Sequence, residues 1–373
     1  MKKLTKTVLV TTIASLLLVA CAPAAQPAPA PAGGDTADAN GGADGGFEFV
    51  LVVDGMVDDR SFNQSSWEGL VAFAEARDIP HTFFQTAGQS TGDYLNAIDL
   101  GVNAGATLIV APGFQYQEAL YIAQDIFADT HFVLLDAVPQ MYGNQRIEDN
   151  VIAILYAEEQ SGFLAGYSVV MEGHRSLGFM GGMAVPAVVS FGYGFLQGAE
   201  HAARVLGLAQ GEVTVMYHYT GGFSPSPEIQ ALAASWYTLA GVEVIFAAAG
   251  GGGASVFAAA ETNNGLVIGV DTDQSMDSPT VITSAIKELG NSVYAAIEDF
   301  YNGTWRGGQV VRFDASNNGV GLPMETSRFV NFTVEQYENI FAQLADHSVT
   351  VIYDHNLTTD DLGLELIEVT HVN

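Results

Sequence analysis

From about residue 47 onward, apolar runs alternate with stretches whose apolar residues recur at helical spacing. No other feature of the chain constrains its fold as much. Strand-like runs lie at 47–53, 81–85, 107–111, 131–135 and 151–155, with helical patterns at 64–77, 90–103 and 117–127 between them. Such alternation predicts a parallel sheet built from strand–helix–strand units. Runs such as Leu108-Ile109-Val110 and Phe132-Val133-Leu134-Leu135 suit strands buried on both faces. The pattern then restarts. Helices are expected at 158–171, 190–206, 227–240 and 254–262, and strands at 176–181, 213–219, 244–248 and 267–270. Phe191, Phe195, Ala199 and Ala202 share one side of the second of these helices and read as packing. Beyond it, 280–301 reads as helix, 302–305 as a turn, 310–313 as a strand and 333–344 as helix, whereas 355–373 is too mixed to assign. The length from 47 to 373 suits two domains, and 49% hydrophobic residues suffice for two cores. Two α/β halves fit a two-lobed binding protein and a two-domain enzyme equally well.

The beginning of the chain speaks to location. Lys2, Lys3 and Lys6 precede an apolar stretch, 8–20, that ends Leu18-Val19-Ala20-Cys21. A basic front, a short apolar run and a small residue before the cut describe a secretory signal rather than a membrane span. A cysteine at the cut resembles a bacterial lipobox, whose thiol is acylated, and Cys21 is the only cysteine of the chain. Residues 22–46 are rich in Ala, Pro, Gly and Asp and lack aliphatic residues larger than alanine before Phe47, so they are expected to be a disordered tether. No later apolar run is long enough to require a bilayer. These features predict a domain anchored by lipid on the extracytoplasmic face of the cell membrane.

Charge excludes one class of partner. The first twenty residues hold three lysines and no acid, so without them the formal charge moves from −30 to −33. A chain this acidic lacks the basic surface that phosphate backbones need, and nucleic acid is not expected as a partner.

Several strand-to-helix loops carry residues suited to a ligand. Asp54 to Gly69 contains Phe62-Asn63, a flat apolar face beside an amide with two donors and an acceptor. The plainer alternative is that Phe62 covers the core and Asn63 caps the helix. Glu118 falls in the first turn of the helix after Ala111-Pro112-Gly113-Phe114, where it could accept from a ring N–H or simply complement the helix dipole. Phe223 follows Tyr219-Thr220-Gly221-Gly222 and is either a second aromatic face or a loop residue packed on its own lobe. Gly250 opens a run of four glycines whose amides allow a ligand close approach, although neither the P-loop nor the dinucleotide spacing is present. Asp271 ends a buried run, where its carboxylate could accept from a cis-diol or cap a helix. Lys287 is the only lysine after residue 20, and it either meets the ligand or pairs with Glu288. The eight histidines are scattered, so no metal site is expected.

Two of these motifs are specific enough to support a resemblance. Asp58-Asp59-Arg60-Ser61-Phe62-Asn63-Gln64 followed by Trp67-Glu68-Gly69-Leu70, and Gly269-Val270-Asp271-Thr272-Asp273-Gln274, are similar to signatures of the basic membrane protein family. Its members are substrate-binding lipoproteins of ABC transporters, similar to purine nucleoside receptors, and the resemblance covers about residues 47–335. It implies the type I periplasmic-binding-protein fold: two Rossmann-like α/β lobes joined by a three-strand hinge. The implied lobes are 47–155 plus about 278–312, and 156–277 plus about 313–373, with crossings near 153–158, 274–280 and 310–325. By the same resemblance Phe62, Asn63, Glu118 and Phe223 would hold a base, while Gly250, Asp271 and Lys287 would hold a ribose. The family shows Asp where this chain has Glu118. The implied protein is a monomeric nucleoside receptor serving an ABC permease, without enzymatic activity or cofactor. Two rivals remain: a sugar or autoinducer receptor of the same fold, and a calcium-dependent nucleoside hydrolase. The latter rests on Asp54, Asp58 and Asp59, which resemble the aspartate cluster of such enzymes.

Overall fold

The structure, a computed structural model, describes residues 46–372. The signal-like segment, Cys21 and nearly all of the expected tether lie outside the described residues. Five strands of a six-stranded parallel sheet come first: β1 (Phe49–Val53), β2 (His81–Gln85), β3 (Leu108–Pro112), β4 (His131–Leu135) and, after the small hairpin β5 (Gln140–Met141) and β6 (Asn144–Gln145), β7 (Val151–Tyr156). Helices α1 (Phe62–Glu75), α2 (Thr91–Asn103) and α3 (Gln117–Ile126) connect the strands. Every residue of β1 and β3 is buried, as expected for strands covered on both faces.

The second half contains α4 (Glu158–Glu172), β8 (Ser176–Gly181), α5 (Pro186–Leu206), β9 (Val213–Tyr219), α6 (Pro227–Ser235), β10 (Val244–Ala248), α7 (Gly253–Asn263), β11 (Leu266–Asp271) and β12 (Val281–Lys287). Next come α8 (Leu289–Tyr301), β13 (Gln309–Phe313), β14 (Val320–Gly321), α9 (Val334–Ala345) and β15 (Ile367–His371). The first sheet has the order β13-β7-β4-β3-β1-β2, and the second, of seven strands, β14-β12-β11-β10-β8-β9-β15.

Three expectations change. Residues 280–301 are not one helix, because 281–287 is β12, paired in parallel with β11 in the second sheet. Its run Val281-Ile282-Thr283 is β-branched and suits a pleated surface. The second passage between the sheets therefore falls at Lys287–Leu289, not at 274–280, and β12 belongs with the second sheet rather than the first. The unassigned end of the chain supplies β15, an edge strand parallel to β9. The other passages lie between Tyr156 and Glu158 and between Phe313 and Val320.

The closest helix contact is α4 against α5. A Cβ on Gly162 or Gly166 would fall 2.2 or 2.0 Å from the carbonyl oxygen of Phe191 or Phe195. The same would happen 2.0 Å from the Glu159 and Phe163 carbonyls at Gly194 and Gly198. Only glycine permits such an approach. The contact sets the first turn of α4, with Glu158 and Glu159, beside Phe191 of α5. Among the described residues no helix is long and apolar enough to cross a membrane.

Candidate functional site

Each sheet has a point where the connections change direction. β1 lies between β2 and β3, and β8 lies between β9 and β10. In open α/β sheets a crevice forms beyond the carboxyl ends of strands at such a point. A cavity of about 1230 Å³ occupies this position. Its walls are the loops after β1, β3 and β4 on one side and those after β8, β9, β10 and β11 on the other. Phe62, Asn63, Glu118, Phe223, Gly250, Asp271 and Lys287 all line it.

The loop entering α1 is held by Asp59. Its carboxylate accepts from the backbone N–H groups of Ser61, Asn63 and Gln64, at 2.9, 3.0 and 3.1 Å. Burial pushes the Asp59 carboxyl up to about 6, against these three donors, which lower it. Asn63 is thus not the cap of α1. Its amide donates to the carbonyls of Asp54 and Met56, fastening the loop, and its Oδ1 accepts no hydrogen bond among the described residues. Ser61 does not cap with its side chain either. Its hydroxyl donates to Asp271 Oδ2 at 2.6 Å, joining the two halves of the site. Gln274 adds to this bridge, donating to the Arg60 carbonyl at 2.8 Å, and Arg60 pairs with Asp277 at 3.5 Å.

Phe223 rests on glycines. A Cβ on Gly182 would come within 2.4 Å of its ring, and one on Gly250 within 3.6 Å. The Gly252 N–H donates to the Phe223 carbonyl at 2.8 Å. The glycine run therefore seats this aromatic, and Gly250 takes a positive φ of 53° that favours glycine. Glu118 is exposed, and Thr91 donates to it at 2.8 Å.

Lys287 lies at the floor with its side chain 2% exposed. Its Nζ is 2.7 Å from Asp136 Oδ2, 3.5 Å from Glu158 Oε1 and 3.6 Å from Asp271 Oδ1. It also stands 4.7 Å from the ring centre of Phe62, 5.2 Å from Tyr156 and 5.6 Å from Phe191. Burial alone would lower the pKa of this ammonium. Asp136, Asp271 and Glu158 outweigh it and hold Lys287 above its usual range. The lysine does not pair with Glu288. Nor does Asp271 cap a helix, since the chain after it runs through turns into β12 with Asp271 itself at a φ of 69°. Asp54 accepts from Tyr94 Oη at 3.1 Å, and Asp59 is spent on α1, so the aspartates do not converge on one point. Among the described residues no group of three or more His, Cys, Asp or Glu is placed to hold a metal ion.

A family model described as ABC transporter substrate-binding protein PnrA-like matches residues 48–357. The chain belongs to this family. Basic membrane protein B of Borreliella burgdorferi is 30% identical over 282 residues, covering 73% of this chain and 80% of that one. An ABC transporter nucleoside-binding protein of Lactococcus lactis, BmpA, is 28% identical over 294 residues, covering 73% and 79%. Among solved structures, an ABC transporter solute-binding protein from Aeropyrum pernix superposes with a TM-score of 0.66 at 25% identity, covering 84% of each chain. The fold is that of the type I periplasmic-binding proteins.

Within this PnrA-like member, sequence reasoning overlooked Asp136 and Glu158, read the cavity-lining Phe191 only as packing, and treated Ser61 only as part of a motif. Asp136 directly follows the apolar run of β4, as Asp54 follows β1, and Asp271 closes β11. An acid just beyond a buried strand was the available signal. Glu158 carried no such signal, because an acid in a first helical turn is ordinary.

Proposed function

We propose that this substrate-binding protein captures a nucleoside, a purine nucleoside in particular, in the cavity between its sheets and delivers it to an ABC importer. The observation that carries this reading is the spacing of Lys287 and Asp271. Their charged atoms are 3.6 Å apart, too far for a direct hydrogen bond. A ribose hydroxyl between them would accept from Nζ and donate to Oδ1. Phe62 and Phe223, from opposite walls, supply two apolar faces for a base, and stacking contributes about 1–3 kcal/mol per base. Asn63 Oδ1 and Glu118 supply acceptors for its edge. The nucleoside-binding relative in Lactococcus supports the same class of ligand.

The test is calorimetry of the full chain with adenosine, guanosine, their 2′-deoxy and free-base analogues, and ribose. The nucleosides are expected to bind at least about tenfold tighter than either analogue, since one decade is about 1.4 kcal/mol. Equal binding of nucleoside and base, or tighter binding of free ribose, would overturn the reading.

The proposed site of action is the extracytoplasmic face, with Cys21 as the lipidated residue. Protein from its native host is then expected in the detergent phase, and Cys21→Ser is expected to stay unprocessed or to lose its lipid. Aqueous partitioning of the unmutated protein would sink the anchor.

A further inference from the structure

Three carboxylates converge on the one buried ammonium of the site, those of Asp136, Glu158 and Asp271. They come from three different elements, and their side chains are 9, 8 and 8% exposed. Were all ionised, the cluster would hold a net charge of about −2 away from water, an arrangement strongly disfavoured. Among the described residues no other lysine or arginine pairs with these three acids. The neighbouring Arg312 of β13 is engaged with Glu159 of α4. The ammonium is also faced by the rings of Phe62, Tyr156 and Phe191, the Tyr156 hydroxyl is itself bonded to Ser292 of α8, and Asp271 accepts from Ser61.

A second observation points to where a proton sits. Asp136 Oδ1 is fully buried and has no donor among the described residues. The carboxyl of Glu158 reaches the same ammonium as Asp136, at 3.5 Å against 2.7 Å, which makes the two acids neighbours across Lys287. Two ionised carboxylates cannot bond to each other, whereas a neutral carboxylic acid donates to a carboxylate strongly. We propose that Glu158 is a positioning residue that carries a proton, donates it in a hydrogen bond to Asp136, and thereby holds Lys287 where the ligand meets it. Glu158 begins α4 at the first passage between the sheets, and Lys287 ends β12 at the second. The shared proton therefore lies where the two halves of the protein are joined.

The electrostatics agree. Burial is the largest influence on Glu158 and raises its pKa; Lys287 opposes this, and Asp136 and Glu159 add to it. With a raised native pKa, the stabilisation from this proton is fully present below the ordinary glutamate value, about 4.3. It is lost as pH rises through the native value.

The inference rests on the proposed nucleoside reading only for its binding readout. The full chain, Glu158→Gln and Glu158→Ala are titrated with adenosine, which does not itself ionise in this range, at about pH 6 and about pH 9. The unmutated protein should lose at least about tenfold in affinity between these values, as ionised Glu158 repels Asp136 and releases Lys287. Glu158→Ala should be weak at both. Glu158→Gln retains a donor and cannot ionise. It should rescue most of the binding lost in the alanine variant and flatten the pH profile. Without ligand, the infrared carbonyl stretch of a buried carboxylic acid should be present in the unmutated protein and absent from Glu158→Gln. The melting temperature of the unmutated protein should also fall relative to that variant as pH rises. A parallel pH profile in Glu158→Gln, or no infrared difference, would overturn the proposal. If adenosine binds to none of the proteins at any pH, the nucleoside reading fails, and the infrared and melting measurements still decide the proton.

Discussion

Lys287→Met is expected to lower the unfolding free energy by about 3–5 kcal/mol near neutral pH, the usual consequence of removing one partner from a buried ion pair. Methionine fills much of the same volume and packs against aromatic rings, so lost packing contributes little. What remains is a cluster of Asp136, Glu158 and Asp271 with no cation among them. Asp136 and Glu158 can escape by taking up protons, so the loss should shrink as pH falls. Urea unfolding at about pH 7.5 and about pH 5 checks both the size and its direction with pH. The double variant Asp136→Asn/Lys287→Met should recover part of the loss, because an amide needs no counter-charge and donates to the remaining acids. A change below about 1 kcal/mol in the single variant would mean that the cluster is already neutral without its lysine.

Asp271→Ala is expected to erase the preference for a nucleoside over its 2′-deoxy analogue while leaving the preference among bases. A hydrogen bond from a ribose hydroxyl to a buried charge contributes about 1.5–3 kcal/mol, which is about one to two decades in affinity. Phe62→Ala should do the converse, weakening every stacked ligand together and sparing the discrimination at the sugar. One complication is visible in the structure. Asp271 also accepts from Ser61 across the cleft at 2.6 Å, so its removal loosens the contact between the two halves as well as the sugar contact. Ser61→Ala separates the effects, for it removes the bridge and leaves the carboxylate. If Ser61→Ala alone abolishes the ribose preference, Asp271 acts through closure. If Asp271→Ala keeps the preference, the sugar is gripped elsewhere.

The legible part of the site was its chemistry-bearing loops. Phe62, Asn63, Phe223, Gly250 and Asp271 follow or flank apolar runs, where a parallel sheet gathers its ligand contacts. Their duties were less legible. Asn63 offered an amide, but only the folded loop shows that its donors hold Asp54 and Met56 while its oxygen is left over. The four glycines suggested an approach for a ligand, yet at Gly250 the group that approaches is the protein's own Phe223. Residues 281–287 were misread as helix because a short apolar run has no decisive period, and only the pairing with β11 resolves it.

What the sequence by itself determined is the local order: strand, loop and helix in repeated units, hence parallel sheets, hence loops gathered at one end of each. Those features follow from side-chain period and turn chemistry, which act over a few residues. The tertiary structure alone decided which charges share the floor of the cavity. Lys287 meets Asp136 from 151 positions away and Glu158 from 129. Neither spacing leaves a trace in any local pattern. Their meeting depends on the glycine-lined contact of α4 with α5, on β12 joining the second sheet, and on the switch points facing each other. A charge without a partner is ruinous in that interior; three acids around one lysine therefore acquire their meaning only once the chain has buried them together.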